Sequence, residues 1–442
     1  MFYKNKKRVL IITYEFPPMG GIGSIWIAKY VKYLPEFGWE PVIVTVKDVP
    51  TNFPDGSIDD DLPPNLRVYR SFSLEPTRLV RLLRRAKSPS ASRSRDRGGD
   101  KVVYSYTGLP LGVLAKIRLL FIPDEKIGWF FFALLSSLRA IRENRPSVVS
   151  STGPPYTANF IGMACAAITG LPWVCEFKDP WIDNPQEASV NPVNRRVFIA
   201  LEKAMLRRAN AVICAMPGQV EGFERRYGEG FVKRCHIITN GFDAEDFVGE
   251  TGLEEKFTIT FVGKVYGGRY PQALLKAVKI LLEEGKIDAE DIRIRYVGTL
   301  DVESRALFAA EDIAGVIELT GFVDHSTCIK LMRSSHLLLL QLADGEMSRI
   351  IYTGKMFEYF GARRPILALV GEGATAKLIG EMGAGTVVNP DSIEGICQAV
   401  MHYYSMYKAG EDFYIDNPEL ARFDRRKQAE NLAAVFNEIS RD

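Results

Sequence analysis

Cysteine is scarce in this chain, at 6 residues of 442, and histidine is scarcer still, at 4. Cys165, Cys175, Cys214, Cys235, Cys328 and Cys397 form no Cys-x-x-Cys pair, and most sit in apolar runs such as residues 211–215, AVICA. That usage fits buried, reduced thiols and excludes a small disulfide scaffold. His236, His325, His336 and His402 are scattered singly, so no structural zinc site is expected. A surplus of one charge is missing too: 56 Lys and Arg meet 54 Asp and Glu, a net charge of +2. General nucleic-acid binders carry a basic surplus, so no nucleic-acid partner is expected. Long hydrophobic runs are absent as well. Residues 9–13, VLIIT, are too short for the core of a signal peptide. Residues 127–135, the most apolar segment elsewhere, fall well below the roughly 18 residues that a membrane span needs. The expectation is a cytoplasmic protein that crosses no bilayer, with contact at a membrane surface left open.

The apolar fraction of 47% and the charged fraction of 25% are those of a soluble globular chain, long enough to bury its core without metals or disulfides. Short apolar runs alternate with amphipathic stretches throughout. Residues 9–13, 41–46, 148–151, 173–177 and 211–214 read as strands, with a helix over 24–37. A second series follows Gly249: strands at 257–262 (closed by Gly263), 293–297 (closed by Gly298), 316–319, 337–341, 365–370 and 386–388, with a helix over 271–284. Strands separated by helices imply mostly parallel sheets with helices on both faces. We therefore expect an α/β chain of two Rossmann-like, doubly wound domains, residues 1–248 and 249–416, joined near 247–253. Residues 87–101, KSPSASRSRDRGGDK, carry almost no apolar side chain and read as a mobile surface loop.

In open parallel sheets ligands bind beyond the carboxyl ends of the strands. Three segments lie there. The first is Tyr14-Glu15-Phe16-Pro17-Pro18-Met19-Gly20-Gly21-Ile22-Gly23, whose glycines either let backbone N–H groups approach an anion at a helix N-terminus or make a plain tight turn. The spacing is neither a dinucleotide fingerprint nor a P-loop. The second is Glu176-Phe177-Lys178-Asp179-Pro180-Trp181, in which Asp179 is a general base or hydroxyl acceptor, or else a loop-capping carboxylate beside a solvated Lys178. The third runs from Gly354 to Phe360, with Lys355 and Glu358 three apart on one helical face. They make a simple ion pair there, or Glu358 accepts ribose hydroxyls while the helix N-terminus faces phosphate.

Taken in order, these segments resemble the family-four glycosyltransferases of the GT-B fold. The resemblance rests on residues 14–21 (YEFPPMGG), 34–42 (LPEFGWEPV), 151–156 (STGPPY), 176–181 (EFKDPW), 261–264 (FVGK), 319–323 (LTGFV) and 354–359 (GKMFEY). It covers nearly the whole chain, with a gap at about residues 50–125. It implies two domains facing a central cleft, the second holding a UDP-, GDP- or dTDP-sugar donor and the first a glycan or lipid-linked acceptor. It also implies transfer with retention, in cell-surface polysaccharide synthesis. Neither a metal nor any other cofactor is implied, because helix dipoles and basic side chains stabilise the leaving diphosphate. No Asp-x-Asp metal motif serves a strand end, and the acidic run Asp59-Asp60-Asp61 lies in a Pro-rich loop. The last helix, within residues 417–442, is expected to return to the first domain.

Carried over by position, Glu358 corresponds to the second glutamate of the family's Glu-x7-Glu motif and binds the ribose. The first glutamate falls on Ile350, a departure that removes a donor-sugar contact; Glu346 and Ser348 stand nearby. Lys264 or Arg269 meets the diphosphate, with Lys355 and the helix start at Gly354 assisting. Val323 and its loop contact the base through backbone groups. Asp179 stands where the family places a polar residue beside the reacting centre, and Gly20 and Gly21 let the first loop approach the donor phosphate.

Weaker signals remain. Arg78, Arg81, Arg84, Arg85 and Lys87, interleaved with Leu79, Val80, Leu82 and Leu83, form a membrane-surface segment or an ordinary surface helix. Residues 129–135 read as a buried helix, and His325 either touches the nucleotide or lies on the surface. Rival functions are a nucleotide-sugar epimerase on the same fold, a non-catalytic nucleotide-sugar-binding subunit, and a membrane-surface scaffold.

Overall fold

The computed structural model describes residues 7–47, 61–74, 121–184, 192–265, 271–309, 313–342 and 349–440. The basic segment at 78–87, the loop at 87–101, Arg269, Glu346 and Ser348 lie outside the described residues.

The chain divides into two compact units, residues 1–239 with 426–442, and residues 240–425. Unit 1 holds a seven-stranded sheet of β1 (Lys7–Ile12), β2 (Trp39–Val46), β3 (Arg67–Ser71), β4 (Val148–Gly153), β5 (Trp173–Phe177), β6 (Ala211–Cys214) and β7 (Cys235–Ile237). The order is β3-β2-β1-β4-β5-β6-β7, parallel throughout. Unit 2 holds six parallel strands, β8 (Phe257–Val262), β9 (Ile292–Val297), β10 (Ile317–Gly321), β11 (Leu337–Gln341), β12 (Ile366–Leu369) and β13 (Gly385–Val388), in the order β10-β9-β8-β11-β12-β13. In each sheet the order reverses once, between β1 and β4 and between β8 and β11. These are the switch points beside which open sheets bind ligands.

The strands form because they are apolar on both faces, as parallel strands covered by helices must be. Val9, Leu10, Ile11 and Ile12 are all buried, as is every residue of β8. The edge strands β3 and β7 are not legible in the sequence. RVYRS and CHI are half-exposed and carry little apolar signal. Helices of unit 1 are α1 (Ile22–Tyr33), α2 (Phe130–Asn144), α3 (Thr157–Thr169), α4 (Pro192–Arg208) and α5 (Pro217–Tyr227). In unit 2 follow α6 (Gln272–Glu283), α7 (Val302–Ala309), α8 (His325–Ser334), α9 (Gly354–Ala362), α10 (Ala374–Glu381) and α11 (Ile393–Ala409), before α12 (Arg425–Ile439). Helix α6 buries Leu274, Leu275, Val278 and Leu281, the spacing of a one-sided apolar stripe. The reading of residues 129–135 as a buried helix needs correction. Trp129 and Ala133 are fully buried, but Phe131 and Leu135, on the other face, are 73% and 68% exposed.

The units change over after Thr239 rather than after residue 248, because the intervening residues pack into unit 2. Phe242 lies edge-on to Phe247 at 5.8 Å, and its N–H donates to the Phe423 carbonyl. Unit 2 likewise continues past residue 416: Leu420 and Phe423 enter its core, with Phe423 5.3 Å from Phe357. Helix α12 then belongs to unit 1. Phe436 packs on Trp39 at 5.2 Å, the Trp39 Nε1–H donates to Asn437 Oδ1, and Arg426 pairs with Glu36 at 2.7 Å. Among the described residues no helix is long and apolar enough to cross a membrane.

Glu202 of α4 is fully buried, accepting hydrogen bonds from Arg226 Nη2 (3.0 Å) and the Tyr227 hydroxyl (2.8 Å). Burial outweighs these partners and pushes its pKa from 4.5 up to about 7. Between those two values the native state holds a proton that the unfolded state has released, so folding stability falls as the pH rises through that window and levels off above it. The shift corresponds to about 3 kcal/mol, at ~1.4 kcal/mol per pKa unit. Glu202→Gln should flatten that slope. Urea denaturation of both proteins at pH 5 and pH 8 checks this; identical pH dependence in the two would contradict it.

Candidate functional site

In unit 2 three neighbouring strands end in glycine. Gly263, Gly298 and Gly321 follow or close β8, β9 and β10 at φ of 134°, 133° and 75°, backbone that side-chain-bearing residues rarely adopt. The Gly263 N–H donates to the Val297 carbonyl (2.7 Å) and the Gly298 N–H to that of Gly321 (2.8 Å). A Cβ at position 298 would stand in the Gly263 carbonyl, and one at 263 in the Lys355 ammonium group. The carboxyl edge of the sheet is therefore a floor of bare backbone with Lys355 laid across it. The Lys355 Nζ is also 4.4 Å from the centre of the Phe261 ring.

Helix α9 supplies Lys355 and Glu358. Its inner face buries Met356, Phe357, Tyr359 and Phe360. The Tyr359 hydroxyl accepts from the Val262 N–H and donates to the Leu339 carbonyl, both at 3.1 Å, which pins the helix to β8 and β11. That fixes the rotation that leaves Gly354, Lys355 and Glu358 half-buried on the other side. Thr353, which precedes the helix, gives it no side-chain cap. The Glu358 carboxyl is raised above its ordinary pKa by burial, opposed by the charges of His325, Arg425 and Lys355 and reinforced by Asp246. His325 itself lies 3.6 Å from Asp246. Lys264 is exposed directly after Gly263. Val323 packs against the core while Phe322 beside it is 76% exposed. Ile350 is half-buried, eight residues before Glu358 and separated from its helix by the non-helical residues 351–353.

In unit 1 the loop after β1 reaches Gly20 and Gly21, and α1 starts on Gly21 at φ 113° with no side-chain cap. A side chain at Gly23 would collide with the Glu15 carboxylate. Of the two readings of this segment, the one with a solvated Lys178 does not hold: Lys178 is buried, its Nζ donating to the Gly23 carbonyl at 3.1 Å and lying 5.6 Å from the Trp26 ring. Asp179 next to it reaches solvent, and its carbonyl accepts from the Tyr156 hydroxyl (2.9 Å). The surrounding protein desolvates its carboxyl in part and raises the pKa against the pull of Lys178. Glu15 is raised in the same way, by burial first, with Lys178 and Lys126 opposing and Asp179 adding to it. The loops after β1 and β5 thus bring two carboxylates and Lys178 into one electrostatic cluster.

A family model described as the glycosyl transferase 4-like domain matches residues 20–241, half of the chain. The chain belongs to this family. No curated protein matches it significantly. Among solved structures, this glycosyltransferase is similar to Anabaena Alr3699/HepE in complex with UDP-glucose, at 14% identity and a TM-score of 0.59, covering 98% of this chain and 100% of that one. It is similar to a point mutant of S. aureus TarM in complex with fondaparinux, α-GlcNAc-glycerol and UDP, at 11% identity and a TM-score of 0.61 over 98% and 100% of the two chains. It is also similar to the UDP-GlcNAc 2-epimerase of Methanocaldococcus jannaschii, at 11% identity and a TM-score of 0.55 over 98% and 99%. At these identities the likeness shows the fold, which is GT-B with two Rossmann-like domains.

Of the residues expected to bind the donor, the glycosyltransferase gathers Gly354, Lys355, Glu358, Lys264 and Val323 at the edge of unit 2, and it places Gly20, Gly21 and Asp179 in unit 1. Arg269 lies outside the described residues. Sequence reasoning gave no role to Glu15, although an acid three residues after β1 and eight before Gly23 was visible. It also missed Asp246 and Arg425, which come from distant turns, and Asp124. The Asp124 carboxylate takes the Thr157 N–H (2.8 Å) and hydroxyl (2.7 Å) at the start of α3, and sits in the stretch without family resemblance. Among the described residues no group of three or more His, Cys, Asp or Glu side chains is placed to hold a metal ion.

The glycine floor makes a sharp prediction. Gly298→Ala must relieve both a clash with backbone and an unfavourable φ, so it should cost about 3 kcal/mol, the upper range for one strained residue. Gly252→Ala, in open space, should stay within about 0.5 kcal/mol of the parent. Equal urea midpoints for the two variants would contradict the close approach of Gly263 and Gly298.

Proposed function

We propose that this glycosyltransferase takes its sugar from a nucleotide-sugar donor held at the strand ends of unit 2. The observation that carries the reading is Glu358, half-buried among Lys355, His325 and Arg425 beside the glycine floor. In this reading the ribose hydroxyls donate to the Glu358 carboxylate. The diphosphate lies over the bare backbone, meeting Lys355, Lys264 and Arg269 with the start of α9 at Gly354, and the base rests on the backbone at Val323. Those cations stabilise the charge that builds on the leaving diphosphate, so the reading needs no metal and no cofactor.

The acceptor, a glycan or lipid-linked sugar, is assigned to unit 1, with Asp179 as its catalytic carboxylate and Gly20 and Gly21 giving the first loop close approach to the donor phosphate. The bond from the anomeric carbon to the diphosphate oxygen breaks. A bond from that carbon to the acceptor oxygen forms with retention, and Asp179 receives the acceptor's hydroxyl proton. Partial desolvation suits Asp179 to that role, because a raised pKa brings it nearer working pH. The place assigned to the reaction is cell-surface polysaccharide synthesis on the cytoplasmic side, peripheral to the inner membrane. The exposed Phe72, Leu74, Phe131 and Leu135 support contact with lipid.

The neighbours solved with UDP-glucose or UDP favour UDP over GDP and dTDP as the nucleotide. A second reading, a nucleotide-sugar epimerase, has the M. jannaschii neighbour and the loss of the first motif glutamate at Ile350 in its favour. It needs no acceptor, and NMR of a donor incubated alone would reveal it.

A thermal-shift screen against UDP-, GDP- and dTDP-sugars, with Glu358→Ala alongside, tests the donor site. One nucleotide class should stabilise the parent, by about 2.7 kcal/mol at a hundredfold excess over Kd, and should stabilise the variant markedly less. An absence of any shift, or an equal shift in the variant, would contradict the assignment of Glu358.

A further inference from the structure

The loop that carries Asp179 is tied to a buried ionic network on the helices behind it. Its far end, Asp183, accepts from Arg226 Nη1 at 2.5 Å, and the other arm of the same guanidinium donates to Glu202 Oε1 at 3.0 Å. The Tyr227 hydroxyl donates to that oxygen as well, at 2.8 Å. Glu202 is 0% exposed, and among the described residues its second oxygen, Oε2, has no hydrogen-bond partner; neither has Arg226 Nε. Gly222 packs directly on the Asp183 carboxylate, where a Cβ would collide with Oδ2. A second cation near Asp183, Arg225, is 3.8 Å away and largely in solvent.

A buried ion pair with an orphaned oxygen is a poor stabilising device, and apolar side chains of similar volume generally do as well or better. What the network does supply is a planar fork that holds two carboxylates at fixed angles, one of them on a loop. The rest of the loop follows from that anchor. Trp181 stacks on Tyr156 at 4.4 Å and packs against Phe198 of α4 at 5.3 Å, and the Tyr156 hydroxyl binds the Asp179 carbonyl. Arg195 Nη1 donates to the Ile182 carbonyl at 3.4 Å. Between the end of β5 and Asp183 the backbone is thus held at both ends.

We infer that Arg226, buttressed by Glu202, is a positioning residue that fixes the loop of residues 178–184 and with it the Asp179 carboxylate. This rests on the catalytic reading of Asp179 given above. Arg226 acts through Asp183 and touches no substrate itself.

The test replaces the network with apolar volume, in the double variant Glu202→Leu with Arg226→Met, and adds Asp183→Ala, which removes the acceptor and so cuts only the link to the loop. Hydrolytic release of nucleotide from UDP-glucose, GDP-mannose and dTDP-glucose, in which water takes the place of the acceptor hydroxyl, is measured for each, with thermal stability and deuterium uptake by residues 178–184. The double variant should keep or raise its Tm while the loop exchanges faster. Turnover should drop about 100-fold, as for a misplacement of about 1 Å, with the donor KM unchanged because the donor sits on unit 2. Asp183→Ala should show the same loss while leaving the Arg226–Glu202 bond in place, and it remains informative if the double variant does not fold. Parent-like turnover or parent-like loop exchange in a folded variant would overturn the inference. If the parent itself releases no nucleotide from any of the three donors, it is the catalytic reading that has failed, and loop exchange then decides the role of Arg226 alone.

Discussion

Gly298 has no room for a side chain: the carbonyl of Gly263 occupies the space where its Cβ would stand, and its φ of 133° suits only glycine. Much of unit 2 is arranged around that close approach. The ends of β8, β9 and β10 come together through backbone contacts alone, so the side chain that covers them is that of Lys355 from the neighbouring helix. Helix α9 must then lie against this edge at one rotation, and Tyr359 enforces it by bonding both β8 and β11 with one hydroxyl. Lys355 covers the floor and Glu358 flanks it because four of their neighbours on the same helix are committed to the core.

Charge is distributed with similar economy. Glu358 has Lys355, Arg425 and His325 around it and one carboxylate, so burial and attraction work against each other, and burial prevails. In unit 1 the arrangement is inverted: Glu15 and Asp179 share Lys178, which is itself drawn aside to the Gly23 carbonyl and the Trp26 face. Two partly desolvated carboxylates with one engaged lysine between them suit a partner that offers hydroxyl groups better than one that offers phosphate. Behind them, Arg226 joins the buried Glu202 to Asp183, at the end of the loop that carries Asp179.

Much of this was legible in the sequence where the physics is local. A run such as FTITFV, β-branched or aromatic at every position, reads as a strand, and Lys355 and Glu358 are three apart on any helix. The polar edge strands RVYRS and CHI left no such mark, because half of each side-chain row faces solvent. The junction between the units was misplaced for a similar reason: the linker-like run Gly249-Glu250-Thr251-Gly252 is polar, whereas the division is set by the packing of Phe242 and Phe247. Non-local electrostatics were the least legible. Nothing near Lys178 in sequence announces Gly23, and Arg226 is 43 residues from the Asp183 it holds. The residues proposed to bind were visible as motifs, while those proposed to position them were not.

A crystal structure of the full chain soaked with UDP tests the central claim most directly. The account predicts ribose hydroxyls within hydrogen-bond distance of the Glu358 carboxylate, the diphosphate over Gly263 and Gly298, and Lys355 turned onto its oxygens. Nucleotide bound anywhere else, or bound here with Glu358 and Lys355 left in their present contacts, would contradict it.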